Sequence, residues 1–154
     1  MATYSVTVPN GALTAGNDVI TLVPASSRRI WVTEFSMQGM GTSSAASEVD
    51  LLYITTAGVT GGGALTPSKD VYAPASASTV NTTWGTQPVV GTEPVCGAAL
   101  CANANGGIYR WTARPGQEAN CIGGIANGLG FSLRTRVAGG GNYTVSLTWQ
   151  EDPI

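Results

Sequence analysis

Apolar and polar positions alternate most regularly near the end of the chain. In residues 142–150, NYTVSLTWQ, Tyr143, Val145, Leu147 and Trp149 share one face, and Thr144, Ser146 and Thr148 share the other. A period of two in aromatic and β-branched residues predicts a strand buried on one side. Phe131, Leu133 and Val137 repeat the scheme, with Ser132, Arg134 and Arg136 facing out. Residues 138–141 supply a turn, so these two segments are expected to pair as a hairpin. Residues 30–38 are apolar on both faces, Trp31, Phe35 and Met37 against Ile30 and Val32, which predicts a central strand buried twice. Residues 49–55 read the same way. Shorter strands are expected over 18–23, 79–84 and 108–113. Tyr4, Val6 and Val8 alternate with Ser5 and Thr7 until Pro9-Asn10-Gly11 breaks the run.

Arg114-Pro115-Gly116-Gln117 suits a type II turn, with Pro fixing φ and Gly taking a positive one. No amphipathic helix is apparent. Eight or nine strands punctuated by 21 Gly and 8 Pro predict an all-β, two-sheet sandwich or barrel. Trp111 between Cys96 and Cys121 has an immunoglobulin flavour, but the two Cys lie too close in sequence for that fold's inter-sheet bridge. The chain divides into an N-terminal arm with a possible edge strand, 1–17, and one β-sandwich domain, 18–154. Residues 56–84 carry only Lys69 and Asp70 as charges and no apolar rhythm before Val80. Pro67 and Pro74 impose extended geometry there, and Gly61-Gly62-Gly63 gives freedom. Such a segment is either a surface loop or an arm laid across a neighbour.

Composition sharpens this picture at one point. Charged residues are 10% of the 154 and net charge is −2, whereas soluble proteins carry about 25%. The chain is either a neutral domain kept soluble by Ser, Thr, Asn and Gln, or one whose surface is covered by other protein. The longest apolar runs are four or five residues, short of the roughly 20 a membrane span needs. The first residues show neither the basic start nor the apolar block of a secretory signal.

Chemistry is sparse. There is no His, so the commonest general base and metal ligand is missing. Three Cys make a poor zinc site. Cys96 and Cys101 either close a small disulfide loop or stay as thiols. Gly61–Gly63 runs into Ala64-Leu65-Thr66, which is no phosphate loop. No spacing among nine carboxylates favours an acid–base pair. Neither an enzyme nor a cofactor or metal is expected. The chain is mildly acidic, against nucleic-acid binding. Arg134 and Arg136 on one outer strand face, and Arg110 opposite Tyr109 and Trp111, form one arginine patch for a protein carboxylate surface if their strands adjoin. Otherwise they are solvated or paired singly. The sequons at Asn81 and Asn142 are read as coincidence.

Four pieces occur in an order that resembles small head proteins of tailed bacteriophages. These are the early basic strand SSRRIWVTEFSMQG, the middle ALTPSKD…APAS, the run Tyr109-Arg110-Trp111 leading to Arg114-Pro115-Gly116-Gln117-Glu118, and the pair GIANGLGFSLRT and TVSLTWQED. The likeness covers most of the chain from about Asp18 onward. The Cys96–Cys101 loop has no counterpart in it. The resemblance implies a capsid decoration (cement) protein with a jelly-roll domain. Such proteins sit as homotrimers on the outer surface of the mature head and bridge neighbouring major capsid subunits. Without nucleic acid or membrane as partner, the expected contacts are Tyr4, Val6, Val8, Leu65, Pro67, Tyr72, Pro74, Arg110, Arg134 and Arg136. Residues 56–84 then become an ordered arm at the trimer or capsid interface, and residues 1–8 a strand for a neighbour's edge. The alternatives are a phage receptor- or glycan-binding fibre-tip domain, with Trp84 and Tyr72 at its sugar site, and an esterase- or glycosidase-like jelly roll.

Overall fold

Period-two alternation becomes strand along most of the chain. The computed structural model describes residues 1–42, 44–58, 63–69, 72–123 and 129–153. Among them are β1 (Ala2–Ala12), β2 (Asp18–Val23), β3 (Arg28–Gly39), β4 (Ala46–Thr56), β5 (Ala64–Leu65), β6 (Ser68–Lys69) and β7 (Thr79–Asn81). There follow β8 (Val89–Val90), a single 3-10 turn (Val95–Gly97), β9 (Ala99–Asn103), β10 (Ile108–Thr112), β11 (Ala119–Ile122), β12 (Phe131–Val137) and β13 (Asn142–Pro153). A front sheet has the order β10-β3-β13-β1-β6, with β11 continuing the β10 edge of β3. A back sheet has the order β5-β7-β2-β12-β4-β8, with β9 also on β4. Count β1, β2, β3, β4, β9, β10, β12 and β13 as the principal strands. The first, eighth, third and sixth are then neighbours in front, and the second, seventh, fourth and fifth behind. That is the jelly-roll winding. Every main pairing is antiparallel, and the inward phases of both sheets meet in one core that includes Trp149, Phe35, Phe131, Leu51 and Leu147.

The structure departs from the sequence reading in five places. The segments 131–137 and 142–150 do not pair as a hairpin. β12 lies between β2 and β4 in the back sheet, whereas β13 lies between β1 and β3 in front. The turn between them crosses from sheet to sheet. It passes so close to β4 that a Cβ on Gly139 would stand 2.1 Å from the Ala46 carbonyl oxygen. β3 is central but buried on one face only. Glu34 faces Thr148 and Val32 faces Trp149, so Thr33 is an inserted residue. This bulge resets the phase and turns Ile30, Val32, Phe35 and Met37 all inward. A bulge at Arg136 likewise turns Val137 out, 48% exposed, against the expected inward phase.

β1 is not an arm. It pairs with β13 from Ala2 to Ala12 and continues through Pro9-Asn10-Gly11 by a bulge, with Asn10 at φ 47°. Residues 56–84 hold strands of their own and do not simply reach outward. β5 pairs with β7, β7 with β2, and β6 with β1 (Tyr4 opposite Lys69), so the segment straps one open edge of the sandwich from sheet to sheet. At the paired residues, edge backbone groups are met within the chain. Residues 59–62, 70 and 71, with part of the expected triple-Gly hinge, and residues 124–128 of the Gly-rich GIANGLGFSLRT run lie outside the described residues.

Candidate interaction surfaces

The outward phase of the front sheet builds a neutral surface. Register places Thr3 beside Gln150 and Trp31, Ser5 beside Thr148 and Glu34, Thr7 beside Ser146 and Ser36, and Thr144 beside Gln38. The Thr7 and Ser146 hydroxyls hydrogen-bond each other at 2.8 Å, and Thr144 Oγ1 accepts from the Asn10 N–H at 3.1 Å. Charge enters at Glu34 on β3, beside Thr148, and at the sheet's edge and ends. Arg110 Nε lies 3.3 Å from Glu34, Arg29 stacks 5.8 Å from the Trp31 ring centre, and Asp152 meets the chain's amino group at 3.7 Å. The surface presents hydroxyls and amides, groups that trade water hydrogen bonds for protein ones at small net cost.

The back sheet deals with charge differently. Asp18 is fully buried at its side chain, and its Oδ1 accepts from Arg134 Nε and from the Ser132 hydroxyl, both at 2.6 Å. Asp50, equally buried, accepts from Arg136 Nε, with Glu48 at 4.0 Å from the same nitrogen. The far ends of both guanidiniums donate to the crossing segment 87–92, Arg134 to the Pro88 carbonyl at 2.6 Å and Arg136 to the Thr92 carbonyl at 3.0 Å. Gln87 accepts from the Asp18 N–H at 3.0 Å. These arginines therefore bolt a covering segment to the sheet. Arg110 lies on the other sheet, so no common arginine patch forms, and the single-pair alternative holds.

The remaining expected contacts scatter. Tyr4 and Val6 are 2% and 6% exposed. They belong to the core because the inward phase of β1 faces it, and they are unavailable to a partner. Val8 is half-buried and lines a cleft of about 280 Å³ with Leu13, Val19 and Tyr143. Leu65 and Pro67 are half-buried within the strap, Leu65 opposite Val80. Tyr72 is 99% exposed, and with Pro74 and Arg28 it edges a cleft of about 530 Å³. Below that cleft the Tyr4 hydroxyl donates to the Pro74 carbonyl at 3.1 Å. The buried Glu151 carboxylate there accepts from the Ser76 hydroxyl, from the Trp149 indole at 3.0 Å and from the Ala77 N–H at 3.2 Å. Burial alone would raise the Glu151 pKa, but these hydrogen bonds outweigh it and hold the carboxyl below its ordinary 4.5.

Of the pair expected at a sugar site, Tyr72 is exposed and Trp84 is half-buried. The Trp84 ring packs over Gly58, where an added Cβ would come within 2.6 Å of it, and its N–H is buried. Cys96 and Cys101 are exposed free thiols and make no loop disulfide; Cys121 is buried. Among the described residues no group of three or more His, Cys, Asp or Glu is placed to hold a metal. Sequence reasoning did not single out the front face as a candidate surface, although its signal is present in the polar phase of NYTVSLTWQ. No family model matches the chain, and neither a curated protein nor a solved structure matches it.

Proposed function

We propose that the chain is a structural capsid decoration protein. It binds the outer surface of a mature tailed-phage head as a homotrimer and stabilises the shell by bridging neighbouring major capsid subunits. The neutral front face carries this reading. Ions are costly to strip of water without a matched partner, and the outward phases of β1 and β13 carry hydroxyls and amides from Thr144 to Gln150, with the adjoining Glu34 paired to Arg110. A surface of Thr, Ser and Gln is suited to lasting coverage, and it gives the low overall charge a place and a reason. The jelly roll is also a winding that viral capsid proteins use, which is support by analogy of fold alone.

Binding in this role needs no catalytic group. Three copies held together make the second and third contacts at high effective concentration. Preference for the expanded shell would stabilise that shell by linkage. The test uses the purified chain with expanded and unexpanded heads of the phage that encodes it. Co-sedimentation with expanded heads alone, and a trimer mass by light scattering, are expected. A monomer at micromolar concentration that pellets with neither form would end the proposal.

A further inference from the structure

The edge opposite the strap carries a cleft of about 720 Å³ that the proposed head-binding role does not use. Its walls come from distant parts of the sequence. The 3-10 turn contributes Cys96, β10 contributes Arg110, Trp111 and Thr112, and the following turn contributes Arg114, Gln117 and Glu118. Trp111 takes the inward phase of an edge strand, opposite Phe35. The core therefore holds the indole, 5.9 Å from the Phe35 ring, while its free side lines the cleft. The turn is the type II form expected from Pro115-Gly116. Gly116 has φ 78°, and the Gln117 N–H donates to the Arg114 carbonyl at 2.9 Å, which fixes Arg114 and Gln117 on one wall.

The polar groups there are only partly engaged. Arg110 gives its Nε to Glu34, and Glu118 Oε1 accepts the Gly116 N–H at 3.1 Å. Among the described residues, the Arg114 guanidinium, the Gln117 amide, the Thr112 hydroxyl and the Trp111 indole N–H have no protein partner. Arg110 is already paired with Glu34 outside the lining, and the lining's other two charges, Arg114 and Glu118, are opposite in sign, so the cleft has little surplus charge for a polyanion. Its polar lining likewise offers little to a lipid chain. Donors and acceptors in balance beside one aromatic ring match a polyhydroxylated ligand. Each sugar hydroxyl both donates and accepts, and the C–H face of a pyranose lies against an indole.

We propose that this cleft is a saccharide site for one hexose unit of a glycan. Arg114 and Gln117 bind hydroxyls, the second carboxylate oxygen of Glu118 accepts another, and Trp111 backs the ring. The site stands whether or not the chain binds phage heads.

Cys96 provides the readout, since it is exposed on the cleft wall, with exposed Cys101 as internal control. Burial pushes the Cys121 thiol up to about 11, which keeps it out of the reaction at pH 8. The full chain is alkylated with iodoacetamide while methyl glycosides of glucose, galactose, mannose, fucose, N-acetylglucosamine and N-acetylneuraminic acid are titrated. Peptide mass spectrometry resolves the two thiols. At least one glycoside is expected to slow Cys96 by about 5-fold or more at saturation and leave Cys101 unchanged. Arg114→Ala and Gln117→Ala, both at exposed turn positions, should each weaken that protection about 10-fold, as loss of one good hydrogen bond does. The assignment is overturned if no glycoside protects Cys96, or if both variants bind as the parent does. Protection by a hexaglutamate peptide alone would give the cleft to an acidic protein segment instead.

Discussion

At the scale of single residues, two of the three buried carboxylates among the described residues, Glu151 and Asp18, make the energetics testable. Glu151 joins the end of β13 to residues 76–77 of the strap through its two oxygens. Because its folded pKa lies below 4.5, the unfolded chain binds more protons around and below that value. Its contribution is therefore complete above pH 4.5 and disappears as pH falls through the depressed folded value. Glu151→Gln exchanges one acceptor for a donor that faces other donors. It should cost about 1.5–3 kcal/mol at pH 7, and the gap to the parent in thermal melts should narrow towards pH 3. A constant gap across that range would remove Glu151 as the acid-sensitive clamp. Asp18 is the other case. Arg134→Met deletes its cation and leaves a buried charge held only by Ser132. The expected loss in urea unfolding is about 3–5 kcal/mol, well beyond what an exposed ion pair would give.

At the scale of elements, the faces of strands were readable and their partners were not. Residues 142–150 and 131–137 show their phases because each side chain meets either core or outside. A tight crossing between sheets and a hairpin turn have the same local look, however, and only the close approach of Gly139 to Ala46 separates them. Bulges hide for a related reason. One extra residue in β3 makes a half-buried strand look apolar on both sides. This has a testable corollary. Deleting Thr33 leaves Ile30, Val32, Phe35 and Met37 in strict alternation, already in register with β13. That deletion should fold and lose only about 1–2 kcal/mol, chiefly the bond from the Ala113 N–H to the Thr33 carbonyl and that from the Thr33 hydroxyl to Thr148. Deleting Ser36 instead throws Met37 to the outside and should abolish cooperative folding. Circular dichroism melts of the two deletions decide the matter, and equal damage from both would contradict the bulge account.

At the scale of the whole molecule, the question is where a chain with so few charges keeps them. The scarcity was plain in the composition, but its distribution was not, because composition carries no faces. The fold spends Asp18, Asp50, Arg134 and Arg136 on holding a cover over the back sheet, and leaves the outward phases of β1 and β13 neutral from Thr144 to Gln150. The long segment 56–84 looked like the feature reserved for partners because it lacks apolar rhythm. Its rhythm is absent because its contacts run along sheet edges and through backbone groups, which need no particular side chain. If the neutral face is the contact surface, one charge at its centre should act on association alone. Thr7→Lys and Ser146→Lys place an ammonium among hydroxyls, with the stem free to lie along the sheet, and so should move the thermal midpoint little. Within a closed contact that ammonium would be buried unpaired, at a cost that weakens binding by about 100-fold or more. The same substitution at Thr86, exposed and without a side-chain hydrogen bond among the described residues, should change neither property. Light scattering and head-binding titrations of the three variants separate the possibilities. If the Thr7 and Ser146 variants assemble and bind as the parent does, the front face is not where this protein meets its partners.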